Sequence, residues 1–135
     1  MWKSVFILII SLFLVMDSNT LCAQYSAAHN SGFKLLETKT FRYDNDHDIF
    51  EFKTPTKLNA FYVVVKDANV GFNNVVIHYV DGTKNTIELN KNLFPDVYSM
   101  IMSPNTPGKA IKKIYFYHSV KVTKRQRPRV ELWVK

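Results

Sequence analysis

From Phe33 onward the apolar positions of this chain recur every second residue in short runs divided by turn formers, a period that belongs to extended strands rather than helices. Phe33, Leu35, Phe41 and Tyr43 share one phase, interrupted at Glu37 and Lys39, and predict one strand or a bent pair of short ones. Phe50 and Phe52 then alternate with Glu51 and Lys53 as far as Pro55, which lacks the backbone donor that a ladder requires. Ala60 to Lys66 is apolar in both phases, with Phe61, Val63 and Val65 on one face and Tyr62 and Val64 on the other, so this strand is expected to be central in its sheet or covered on both sides.

Val75 to Val80 runs into Asp81-Gly82-Thr83-Lys84 and out again through Thr86 to Leu89, the strongest hairpin signal in the chain, because glycine at 82 allows the positive φ of a tight reversal. Val97 to Met102 has room for one short strand before the loop Pro104-Asn105-Thr106-Pro107-Gly108. Ile111 to Ser119 alternates in both phases, with Ile114, Phe116 and His118 opposite Tyr115, Tyr117 and Ser119. Val130, Leu132 and Val134 close the chain as a strand with an aliphatic inner face. About seven or eight short strands with no amphipathic helix predict an all-β fold, an antiparallel β-sandwich, with a small barrel as the alternative.

The first 23 residues follow a different pattern. Lys3 precedes an apolar run from Val5 to Met16 broken only by Ser11, then a polar stretch from Asp17 to Thr20, then Leu21-Cys22-Ala23. Twelve helical residues rise roughly 18 Å, too short for a hydrocarbon core of about 30 Å, so a secretory signal peptide cleaved after Ala23 is expected rather than a transmembrane anchor. A lipoprotein anchored through Cys22 is the weaker alternative, because Leu21 stands where such signals place a small residue. Residues 24–32 read as a flexible lead-in and 33–135 as a single domain. Cleavage after Ala23 removes the chain's one cysteine, and with it disulfides, thiolate metal sites and cysteine nucleophiles. The mature protein is expected to be secreted or periplasmic.

Charge is unevenly spread. Residues 109–135 carry nine of the basic side chains and one acid, Glu131, whereas residues 24–108 carry eight basic and nine acidic ones. Lys121, Lys124, Arg125, Arg127 and Arg129 are therefore the candidate polyanion-binding residues, for an anionic envelope polymer or a membrane surface. The competing reading is a solvated edge that discourages sheet-to-sheet pairing. Nucleic acid is not expected as a partner of an exported chain.

Asp44, Asp46 and Asp48 fall on alternate positions, as the first ligands of a calcium loop do, but Ile49 stands where that loop needs glycine and Pro55 where it needs the bidentate glutamate. They remain a candidate metal site only if other loops contribute. Tyr115, Tyr117 and Trp133 oppose the aliphatic phase of their strands and are candidate carbohydrate-stacking residues, although aromatics on strands more often fill the core. His47, among carboxylates, is the one candidate general base for a small hydrolase. No nucleophile elbow, phosphate loop or cofactor motif accompanies it, and no cofactor is expected.

Asp46-x-Asp48-Ile49, the valine strand, Val75-Val76-Ile77-His78-Tyr79-x-Asp81-Gly82, Ile111-x-x-Ile114-x-Phe116-x-His118 and the final Val130-x-Leu132-x-Val134 together resemble a group of small exported bacterial proteins. The resemblance spans residues 33–135 and implies a short β-sandwich, export, and no assigned activity. It carries no catalytic or binding residue with it. The sequence does not identify a function: the expectation is an exported non-catalytic β-sandwich protein whose basic C-terminal region is its candidate for binding an anionic envelope surface, with a carbohydrate-binding module and, less favoured, the His47 hydrolase as alternatives.

Overall fold

The computed structural model describes residues 31–42, 44–119 and 127–135. The predicted signal peptide, residues 24–30 of the lead-in, Tyr43, and Lys121, Lys124 and Arg125 of the basic segment lie outside the described residues. Among the described residues there is no helix, and none therefore that is long and apolar enough to cross a membrane.

Seven strands follow in order: β1 (Lys34–Thr40), β2 (His47–Thr56), β3 (Phe61–Lys66), β4 (Val70–Tyr79), β5 (Lys84–Leu93), β6 (Ile111–Ser119) and β7 (Arg129–Val134). They form two antiparallel sheets, one ordered β1-β7-β3 and the other β2-β6-β4-β5, packed as a sandwich and not closed into a barrel. The apolar phases meet between them. Phe41, Phe50, Phe61, Phe72 and Phe116 are all within 2% of fully buried, and the Phe116 ring stands edge-on to Phe50 at 5.4 Å, Phe72 at 6.0 Å and Phe61 at 6.5 Å. Each such side chain removed from water contributes about 1.5–3 kcal/mol, and the edge-to-face geometry suits the ring quadrupoles.

The hairpin is where the sequence places it. Thr83 O accepts from Tyr79 N–H at 3.0 Å, Tyr79 O accepts from Gly82 N–H at 3.1 Å, and Gly82 has φ +88°. A Cβ at this position meets nothing within 4 Å, so strain alone opposes substitution. Gly82→Val is expected to destabilise the domain by about 1–3 kcal/mol, read as a lowered denaturant midpoint with unchanged slope.

Of the two arrangements expected for the valine strand, β3 shows the second: it is an edge of its three-stranded sheet, yet Phe61 to Val65 are buried in both phases, and its open side is covered by residues 96–102, through Ser99 N–H to Val63 O and Met102 N–H to Phe61 O, both at 2.8 Å. Three other expectations need correction. That covering segment is not a strand of its own and touches β3 through isolated bridges at Tyr98 and Met102. Pro55 does not end β2, which continues to Thr56 with a register break after Glu51, tolerated because β2 is an edge strand. In β1 the apolar phase fails to reach the core: Leu35 and Leu36 are exposed, and Phe41, just past the strand end, is the residue that fills it.

Candidate functional site

The outward face of the four-stranded sheet departs from the polar composition that a solvated sheet face normally shows. Cross-strand register sets it out in rows from β2 across β6 and β4 to β5: His47, Tyr117, Asn74, Glu88; then Ile49, Tyr115, Val76, Thr86; then Lys113, His78 and Lys84 beside Glu51. The centre of this face is therefore aromatic and its margins amide, hydroxyl and charged.

Tyr115 and Tyr117, two positions apart on β6, are half-buried, with rings 6.2 Å apart and only 18° from parallel. His47 flanks both, at 5.5 Å from Tyr115 and 5.3 Å from Tyr117, and His78 lies against the other side of Tyr115 at 4.4 Å. Lys113 Nζ stands 5.1 Å from the centre of the Tyr115 ring, a cation–π contact, and the Tyr115 side chain raises its pKa. Burial, helped by Lys84 and Lys113, lowers His78 from its ordinary 6.5, so at neutral pH it joins the face as an uncharged ring. Such a face can stack flat apolar surfaces and bind polar substituents at its margin.

Trp133 does not join this face. It lies on β7 in the other sheet, stacked on Tyr62 at 6.1 Å and 1° from parallel, with its indole N–H donating to Glu131 Oε1 at 3.4 Å. Tyr62 in turn meets Phe33 and Tyr98, and burial pushes its hydroxyl up to about 12. The three aspartates are not brought together either. Asp44 is exposed and pairs with Arg42 at 3.3 Å, Asp46 is exposed and hydrogen-bonds His47 Nδ1 at 2.6 Å, and Asp48 points into the core. Among the described residues no group of three or more histidine, cysteine or acidic side chains is arranged to hold a metal ion.

His47 sits on the open sheet face between Asp46 and the tyrosine rings, not across a cleft from a second histidine. Of the basic segment, Arg129 is engaged by Asp67 through two contacts, at 2.5 and 3.3 Å, while Arg127 is exposed. Lys109, at the start of the cation-rich region, is likewise paired with Asp81 at 2.7 Å.

A feature the strand pattern left unpaired is a buried dyad between residues 70 positions apart. His118 Nε2 donates to Asp48 Oδ2 at 2.8 Å, and the same oxygen accepts the Arg42 backbone N–H at 3.2 Å. Both side chains are almost wholly buried, and Phe41 stacks on the imidazole at 4.7 Å. His118 Nδ1 has no hydrogen-bond partner among the described residues. The signal was present: Asp48 and His118 each occupy the inward phase of an apolar strand, where a polar side chain needs a partner.

Fold and face together define a small two-sheet antiparallel sandwich with an aromatic platform on its larger sheet. The chain belongs to the family described as Domain of unknown function (DUF2541), whose model it matches over residues 6–134. No curated protein and no solved structure matches it.

Proposed function

We propose that this is an exported, non-catalytic domain that binds an anionic polysaccharide across the outer face of its four-stranded sheet. The observation that carries the reading is the pair of near-parallel, half-buried tyrosine rings in the middle of that face. Sugar rings present C–H groups that pack on the electron-rich face of a phenol ring, and parallel rings on one strand offer successive platforms to a chain laid along β6. Asn74, Thr86 and Glu88 border the platform with donors and acceptors for hydroxyl groups, and Lys113 and Lys84 provide positive charge at one end. Polysaccharide is also the polymer that an exported protein meets in an envelope, and the cation excess of residues 109–135 favours an acidic one.

The test is titration calorimetry with oligogalacturonate and with a cello-oligosaccharide of equal length. Tyr115→Ala and Tyr117→Ala are each expected to weaken both ligands about tenfold, near 1.4 kcal/mol. Lys113→Gln and Lys84→Gln should weaken only the uronate, and its advantage should shrink with added salt as the Debye length falls to about 8 Å near 0.15 M. Binding that ignores the tyrosine substitutions, or no binding of either sugar, would overturn the reading.

A further inference from the structure

Beyond Tyr117 the outer face of the four-stranded sheet continues for one more row, in which Gly71 on β4 stands between Ser119 on β6 and Asn92 on β5. Residues directly opposite one another on paired strands project to the same face, so these two side chains flank the glycine on the face that carries the tyrosine rings. Gly71 lies near the start of an inner strand and its φ is outside the left-handed region, so the backbone does not require glycine there. A β-branched residue would serve such a strand better, and glycine inside a strand often marks a place that a ligand approaches closely. What surrounds this one is polar. A Cβ on residue 71 would lie 2.7 Å from Asn92 Oδ1 and 3.0 Å from Ser119 Oγ. The missing side chain thus leaves a gap into which an amide and a hydroxyl lean, and among the described residues neither has a hydrogen-bond partner of its own.

The amide offers two N–H donors and a carbonyl acceptor, and the hydroxyl offers one donor and two lone pairs. Together they complement neighbouring sugar hydroxyls, each of which both donates and accepts. Neither group is charged, in contrast to the opposite end of the face, where Lys113 and Lys84 stand. Resting on the saccharide reading above, we propose that the gap over Gly71 is a terminal subsite of the platform, in which Asn92 and Ser119 hold hydroxyl groups of the sugar unit next to the one stacked on Tyr117. Ser119 follows Tyr117 along β6 by two residues, as Tyr117 follows Tyr115, a step of about 7 Å along a strand, so the gap receives the next unit of a chain laid along β6. The platform therefore has a direction, with a charged end at Lys113 and Lys84 and a hydroxyl-reading end at Gly71.

The protein and its variants are titrated with oligogalacturonate and with the cello-oligosaccharide of equal length. Asn92→Ala and Ser119→Ala, both at exposed positions, should each weaken binding roughly three- to tenfold, and Gly71→Ala, which puts a methyl group into the gap, at least as much. Because the subsite reads hydroxyls, the losses should be equal for the two sugars and should persist in added salt, unlike those of Lys113→Gln and Lys84→Gln. The side-chain amide signals of Asn92 should shift on titration of the wild type, a readout that a purely structural role for the row would not move. If Tyr117→Ala weakens binding while Asn92→Ala and Ser119→Ala leave it unchanged, the platform stands and the subsite falls. A loss confined to the uronate and erased by salt would overturn the assignment to hydroxyl groups. No binding of either sugar would overturn the platform reading, and the subsite with it.

Discussion

Asp48→Ala is expected to destabilise the domain by about 3–5 kcal/mol, the scale for removing one partner of a buried pair and leaving the other stranded. Asp48 Oδ2 receives two donors, the His118 imidazole and the Arg42 backbone N–H, and the buried imidazole has no access to water that could replace the carboxylate. His118→Ala should cost a similar amount, because it orphans the carboxylate. Asp48→Asn is expected to be much milder, since the amide oxygen accepts from the same donors. The double replacement Asp48→Leu/His118→Phe should be far less harmful than the sum of its single changes, as an apolar pair of similar volume leaves only the Arg42 N–H unserved. Denaturant midpoints of the four proteins of that cycle give the coupling energy. Additive single costs would mean that the pair is not an energetic unit.

Phe116→Ala is the second large effect, expected at about 3–5 kcal/mol. Phe116 lies in the inward phase of β6, an inner strand of its sheet, and its ring touches Phe50, Phe61, Phe72 and Phe41, so truncation opens a cavity lined by rigid rings from both sheets. Rings held on paired strands cannot collapse far to fill it. Phe116→Leu keeps much of the volume and should cost less. Equal losses for the two variants would indicate that ring geometry, not cavity size, sets the cost.

Local rules made the strands legible. Gly82 between two alternating runs identified the hairpin, and the opposed phases of Ile114/Phe116/His118 and Tyr115/Tyr117 correctly separated the inner from the outer face of β6. Periodicity carries no information about which strands are neighbours, and the failures follow from that. Tyr115, Tyr117 and Trp133 look equivalent in sequence, yet β6 and β7 lie in different sheets, and only the tyrosines form a platform. Apolar residues in both phases of β3 implied cover on both faces, which holds, but the cover came partly from a segment with too few alternating residues to read as a strand. Alternate spacing of Asp44, Asp46 and Asp48 suggested a shared direction. The first two precede β2, while Asp48 obeys the inward phase that Phe50 sets within it.

The central claim is that the outer face of the four-stranded sheet is the saccharide-binding surface, and the most direct measurement is amide and aromatic shift mapping of the protein during titration with oligogalacturonate. Saturable shifts are expected on the rings of Tyr115, Tyr117, His47 and His78 and on the flanking Asn74 and Thr86, with the Trp133 indole on the opposite sheet unmoved. Shifts centred on Trp133 or on the loops, or an unchanged sheet face at saturating ligand, would contradict it.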